Sequence, residues 1–352
     1  MPPPRETTAR SVVVPFQSDA PPAALAPLGG EVPERWRALD RSAHAPHLVA
    51  VPDDDGRWRA AALVTARPHT SYLKIVDAVG DVPAAVEAVV AHARHRGLAQ
   101  VKWEGWTTRP EDAAAAGFTP LRPPPVADGA GPETGYVRWL AGATVTGPPY
   151  YGQTTHFTCG AVTALVAHAH RGTLPEAALG RRAELTLWRG ATNFPVCEPV
   201  GLGVAVRRTW PGSPVRVHLD TDRPVLLDHL TEDEREWRAD LQRVSRTEAA
   251  ETGVPVDARP LSSDEIRRAV GRGEQVLLLV SLTAMQGWDV PHWVLVHGAV
   301  PGALVVDDPW AGADRGESWV DAHLLPVADA ALEEMSAVSS DPFHGAVVLG
   351  RP

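Results

Sequence analysis

The chain has 352 residues, 44% hydrophobic and 22% charged, with a formal net charge of −10 and two cysteines. That balance belongs to a globular protein of about two ordinary domains, and the lack of any basic stripe argues against nucleic acid or an anionic membrane surface as a partner. The opening Met1–Arg10 has no apolar signal core and no apolar run approaches membrane-spanning length, so a cytoplasmic location is expected, with both cysteines kept as thiols.

In the first part, periodicity predicts a strand at Val12–Val14, a helix at Val32–Leu39, and strands at His47–Val51, Ala60–Thr65 and Tyr72–Asp77. An amphipathic helix at Ala84–Arg96, a strand at Gln100–Trp103, a short helix at Glu111–Ala116 and a strand at Tyr136–Leu140 complete it. Helices alternating with strands imply an α/β sheet domain over residues 1–142. Within it, Pro123–Pro125 and Gly129–Pro132 mark a loop, and residues 141–149 read as a linker or long connection.

Gln153–Gly160 runs straight into an apolar segment, Ala161–His170, that reads as a helix. Cys159 would sit at its positive end, where backbone N–H groups favour a thiolate. Gln153, six positions earlier, could aim its amide at an oxygen that turns negative when the thiolate attacks a carbonyl. Downstream, Arg181–Trp188 reads as a helix and Asn193–Gly203 as a loop leading to another. Strands follow at Val215–Leu219, Pro224–Leu227, Gln275–Ser281, His292–Val296, Ala303–Val306 and Gly345–Leu349, and the charged stretch Leu230–Thr252 reads as a solvated helix. Helices first and strands last indicate an α+β domain over residues 148–352. His292 opens one apolar strand and Asp308 closes the next, which could bring a base and its orienting carboxylate behind the thiol. His297 competes with His292 for that role and Asp307 with Asp308, since neighbouring strand residues face opposite sides. Cys197 has the plainer reading of a buried apolar residue, and His156 that of a turn residue. No paired Cys or His spacing accompanies Cys159, so no metal is expected.

The order of the first group of elements resembles the acyl-CoA-dependent N-acetyltransferase (GNAT) fold, with local echoes in Ala84–Trp103 and Ala113–Phe118. The family's pyrophosphate loop is replaced here by Asp77–Pro83, with one glycine and two carboxylates, so this domain is expected to lack acetyl-CoA and the chain to use no cofactor. Residues 148–352 resemble papain-like cysteine peptidases of the bacteriocin-leader-processing type, and more closely the peptidase-like family fused behind an acetyltransferase-like domain in bacteria. Gln153 six positions before Cys159, the glycine after it, His292 at a strand start and Asp308 in Asp-Pro carry that resemblance. The run Glu184–Arg189, Cys197 and Gly201–Gly203 resemble the fused subfamily further. The resemblance implies that Cys159 attacks, His292 shuttles the proton, Asp308 holds the imidazole tautomer, and Gln153 with the Cys159 N–H forms the oxyanion hole. The expected activity is thiol-dependent hydrolysis of a peptide or carrier-linked amide. An acyl or peptidyl transferase using the same site is the runner-up, and a non-catalytic peptide-binding module the third reading.

Overall fold

The computed structural model describes residues 11–351 apart from 126–130, 141, 143, 192–194 and 229. The expectations placed on Met1–Arg10, Gly129, Ala130, Asn193 and part of the 141–149 connection lie outside those residues.

The N-terminal sheet contains β1 (Val12–Pro15), β2 (His47–Pro52), β3 (Trp58–Thr65), β4 (Tyr72–Gly80), β5 (Gln100–Glu104), β6 (Thr119–Pro120) and β7 (Gly135–Trp139), in the order β1-β2-β3-β4-β5-β7-β6. Helix α1 (Val32–Arg37) follows β1, α2 (Val82–His95) joins β4 to β5, and α3 (Pro110–Ala115) follows β5. β4 and β5 pair in parallel, with Tyr72 opposite Gln100, because a helical crossover returns the chain to the same end of the sheet. Asp81 starts α2: its side chain accepts from the Ala84 N–H, and Pro83 in the first turn needs no hydrogen-bond partner for its nitrogen.

The second part opens with three helices, α4 (Cys159–His170), α5 (Arg181–Ala191) and α6 (Pro199–Thr209). After them come β8 (Val215–Leu219), α7 (Glu232–Thr252), β9 (Val256–Asp257), α8 (Ser263–Gly271), β10 (Gln275–Ser281), α9 (Thr283–Gln286), β11 (Pro291–Val300), β12 (Ala303–Asp307), α10 (Trp319–Ala322), β13 (Leu325–Ala328), α11 (Asp329–Ser336) and β14 (Gly345–Leu349). This second sheet runs β13-β12-β11-β10-β14-β8-β9, antiparallel except where β8 meets β9. Every residue of α4 from Cys159 to Ala169 is buried, so it is a central helix packed on the sheet and under its helical neighbours.

The two parts meet in a shared apolar layer. Ala99, Leu121 and Val137 of the first pack with Tyr150, Val305, Trp319 and Leu324 of the second. Polar side chains bond across this seam: Lys74, held also by Glu104 of its own sheet, binds Asp321, Gln100 donates to the Leu324 carbonyl at 2.9 Å, and Lys102 donates to the carbonyls of Asp321 (2.9 Å) and His323 (2.6 Å). Burial drives the Lys102 ammonium down to about 7 despite the opposing pull of Asp321.

Most expected elements stand within a few residues of their predicted ends. Pro224–Leu227 is not a strand; it is irregular chain in which the Val225 N–H and carbonyl are met by the Gln242 side chain of α7, so the segment needs no strand partner. Val200–Gly203, read as loop, is helical, because Glu198 caps α6 by accepting from the Val200 and Gly201 N–H groups. Gly203 is forced by proximity, since a Cβ there would come within 2.5 Å of Val217. The helix expected to start at Ala161 begins at Cys159, which places the cysteine in the first helical turn.

Candidate active site

Cys159 is the first residue of α4, behind a Thr158 whose side chain makes no capping bond to the helix, so the first-turn N–H groups are left facing the thiol side. The following residue is tightly enclosed: a Cβ at Gly160 would meet Trp293 at 3.0 Å, Cys197 at 3.2 Å and Leu202 at 3.3 Å, so any larger residue would push on these neighbours. Thr163 secures the turn by donating to the Cys159 carbonyl at 2.7 Å.

His292 is the second residue of β11, and Asp308 immediately follows β12, the next strand over. The antiparallel pairing brings them together, with His292 Nε2 and Asp308 Oδ1 2.7 Å apart. Nδ1 is thereby left free of Asp308, and Cys159 is among the neighbours that favour the charged ring. Burial opposes the imidazolium, but the Asp308 charge, its hydrogen bond to the ring and the neighbouring Cys159 outweigh it and raise His292 to about 10. For Asp308, burial is outweighed in the opposite sense, and His292 and Arg67 hold the carboxyl below its ordinary range. Asp308 is fully buried, and its Oδ1 also accepts from the Trp310 N–H at 2.8 Å. The Trp310 ring lies 5.2 Å from His156 and 6.4 Å from Trp288, which carries the Arg315 guanidinium at 4.3 Å.

The rival residues form their own cluster. His297 sits at the bulge of β11, and its Nε2 is 3.2 Å from Asp307, which also binds His323 Nδ1 at 3.0 Å and accepts from the Leu324 N–H at 2.8 Å. Strand alternation separates the two pairs, His292 with Asp308 on one face and His297 with Asp307 on the other. Cys197 lies behind the site; burial and the neighbouring Cys159 push its thiol well up, and its carbonyl accepts from the Trp293 indole at 3.0 Å.

Gln153 lies in the turn leading into α4. Its backbone N–H donates to the Pro309 carbonyl at 2.8 Å, which ties it to the chain beside Asp308, and its side-chain Nε2 donates to the Thr155 carbonyl at 2.8 Å. One amide hydrogen is engaged in this turn and the second is left over.

Two residues that sequence reasoning did not single out for the site shape it. Glu184 of α5 is fully buried and binds the Thr158 hydroxyl, the Thr154 N–H (2.8 Å) and hydroxyl (2.9 Å), and the Tyr151 hydroxyl (2.9 Å). It therefore holds the whole turn from which Cys159 emerges. Arg67, from the loop between β3 and β4, donates to Asp308 Oδ2 at 2.6 Å. Neither inward role has a clear local signal: Glu184 opens the run that resembles the fused subfamily but stands in a helix of mixed composition, and Arg67 precedes a proline in a turn. Among the described residues no group of three or more His, Cys, Asp or Glu side chains is arranged to hold a metal ion.

No curated protein matches the chain. Among solved structures it is similar to an acetyltransferase of the GNAT family from Staphylococcus aureus Mu50, at 6% identity, covering 37% of this chain and 99% of that one with a TM-score of 0.27. It is similar also to the ribosomal-protein-S18-alanine N-acetyltransferase of Escherichia coli, at 12% identity over 42% of this chain and 100% of that one, TM-score 0.26. A third likeness is to nourseothricin acetyltransferase, at 15% identity and TM-score 0.22, covering 27% of this chain and 65% of that one. The family model of the Peptidase_C39 like family matches residues 148–350, the stretch that carries Cys159, His292 and Asp308, and by that match over more than half its length the chain belongs to this family.

Proposed function

We propose that the chain is a thiol hydrolase that cleaves a peptide or amide bond through an acyl-enzyme on Cys159. Residues 148–352 would form the peptidase-like unit and residues 1–142 a GNAT-like unit without acetyl-CoA. The observation that carries the reading is the buried His292–Asp308 hydrogen bond with Cys159 as the ring's neighbour. In the mechanism, Cys159 Sγ attacks the carbonyl carbon and the π electrons move to its oxygen. The Cys159 N–H and the second hydrogen of the Gln153 amide meet that oxyanion. The His292 imidazolium then protonates the departing amine as the C–N bond breaks, and afterwards takes a proton from the water that releases the acyl group. Asp308 keeps the ring oriented by accepting from Nε2 throughout.

The surroundings support a peptide substrate. A cavity of about 310 Å³, lined by apolar Val225, Leu226, Leu227, Val290 and Pro291 and by charged Glu198, Asp228, Arg238 and Asp289, has Pro291, the chain neighbour of His292, in its wall and would take a substrate side chain of mixed character. The test is competitive alkylation: at neutral pH, limiting iodoacetamide followed by peptide mapping should label Cys159 well before Cys197. Faster labelling of Cys197 would overturn the assignment. Incubation with candidate peptides, read by intact mass, distinguishes hydrolysis from transfer, since a product carrying an added amine would assign the transferase.

A further inference from the structure

We propose that Arg67, carried on the loop between β3 and β4 of the N-terminal sheet, is a positioning residue for the thiol site, clamping the Asp308 carboxylate so that Oδ1 stays on His292. The proposal rests on the thiol reading above and assigns the N-terminal part a share in the chemistry.

Arg67 is fully buried, and each of its three side-chain nitrogens donates to the second part of the chain. Nη1 donates to Asp308 Oδ2 at 2.6 Å, Nε to Glu317 Oε1 at 2.5 Å, and Nη2 to Glu317 Oε2 at 3.0 Å and to the Trp310 carbonyl at 2.9 Å. Such a fork fits two carboxylates at fixed separation, which a lysine could not do. Asp308 thus has a division of labour: Oδ1 takes His292 and the Trp310 N–H, and Oδ2 takes Arg67. Rotation of the carboxylate would break all three at once. The Trp310 carbonyl bond ties the same guanidinium to the tryptophan beside His156.

The groups facing this carboxylate come from several elements. His292 reaches it from β11 with Cys159 of α4 beyond the ring, and Arg67 reaches it from the loop with Glu317 on its far side. Glu317 also meets His44 at 3.1 Å, Gln286 at 3.2 Å and the Gly312 N–H at 2.8 Å. The Tyr72 hydroxyl lies beside the Arg67 backbone and against Asp321, which binds Lys74. Asp307 turns the other way, to His297 and His323. If Arg67 were neutral, Asp308 and Glu317 would be two buried carboxylates with no cation between them, and one would take a proton. Glu317 keeps His44, Gln286 and Gly312 as partners, whereas Asp308 Oδ2 is left without its donor, so the carboxylate is free to turn off the ring and the imidazolium's counter-charge is no longer held in place.

The experiment follows the rate of Cys159 alkylation by iodoacetamide against pH in the full chain, for wild type, Arg67→Gln, Arg67→Lys and the double variant Arg67→Gln with Glu317→Gln. In Arg67→Gln the acid limb should move to higher pH by about 1–3 units, the scale of losing one close opposite charge. Arg67→Lys, which restores charge without the fork, should recover part of that shift. The double variant relieves the unpaired Glu317 and serves if Arg67→Gln does not fold; its limb should also stay above that of wild type. An unshifted limb in folded protein, with any loss following only the unfolded fraction, would mean that Arg67 merely bridges the two parts and would overturn the proposal. Wild-type labelling that does not favour Cys159 would overturn the thiol reading and this role together, so the two failures are told apart in one data set.

Discussion

Charge placement around His292 makes the residue scale testable by pH. Its folded value is raised to about 10 from 6.5, so the stabilisation from the imidazolium–Asp308 pair is fully present below about pH 6.5 and is lost as pH rises through about 10. Turnover, which needs the imidazolium as acid, should therefore fall as pH climbs through about 10. A profile already falling near pH 7 would show that the ring is not held charged. The two neighbouring aspartates should separate cleanly. Asp308→Asn leaves the imidazolium without a counter-charge and should slow both turnover and Cys159 alkylation, whereas His292→Ala, which removes the proposed proton shuttle, should cost about 10²–10⁴-fold in turnover. Asp307→Asn instead strips the partner from His297 and His323 and should lower thermal stability with the alkylation rate little changed. If Asp307→Asn proved the more damaging to alkylation, the register of β11 against β12 would be wrong. Gln153→Ala should reduce turnover by about 10²–10³-fold, the usual scale for one oxyanion donor, and unimpaired turnover would show that its second amide hydrogen plays no such part.

At the scale of elements, the turn that delivers Cys159 depends on one buried carboxylate. Glu184→Gln replaces an acceptor of four hydrogen bonds by a group half of which donates, setting amide hydrogens against the hydroxyls of Thr158 and Thr154 and the Thr154 N–H. Losing bonds to a charged group costs about 1.5–3 kcal/mol, so a lowered unfolding midpoint in urea should accompany slower Cys159 alkylation. Unchanged labelling with lowered stability would mean that Glu184 supports the fold without shaping the turn. The strands and helices around the site were legible from their sequence, since apolar runs such as Val276–Val280 of β10 and Trp293–Val296 of β11 have no other stable placement than the interior. The inward turn of Glu184 was not. A glutamate in a helix of mixed composition reads as solvated, and only the threonines and tyrosine brought to it by the preceding turn offset its burial. Pro224–Leu227 failed for a related reason: its apolar content resembles a strand, but a glutamine of α7 supplies the hydrogen bonds that a neighbouring strand would have given.

The whole molecule raises two questions, what the N-terminal sheet can bind and whether it can come away. Beside β4 and β5 lies a cleft of about 650 Å³ lined by Asp81, Glu87 and Asp112 with Arg109. The N-terminus of α2 that opens onto it is already capped by the Asp81 carboxylate, itself paired with Arg59. A pyrophosphate there would meet negative charge in place of free N–H groups. Calorimetric titration of the full chain with acetyl-CoA should accordingly show no saturable heat, and micromolar binding would restore an acyl-transfer role to this part. Whether the parts separate is decided at the seam, which the sequence hid. Lys74 and Lys102 sit in strands where lysine reads as a solvent-facing residue, yet both are buried, and beside the Lys74 bond to Glu104 each reaches acceptors from beyond residue 300 that no local pattern announces. Pulling the sheets apart would take from Lys102 and the Arg67 guanidinium the acceptors named above, and from Lys74 and the carboxylates of Asp308, Glu317 and Asp321 their partners across the seam, while exposing the shared apolar layer around Trp319 and Tyr150. Buried charges left unpaired cost far more than either part gains by moving freely. Heating the full chain should therefore give a single calorimetric transition with equal calorimetric and van't Hoff enthalpies. Lys74→Met, which leaves Asp321 and Glu104 facing each other without their cation, should lower the temperature of that one transition. Two resolved transitions in wild type, only one of them moved by the substitution, would show that the N-terminal sheet folds apart from the site it touches.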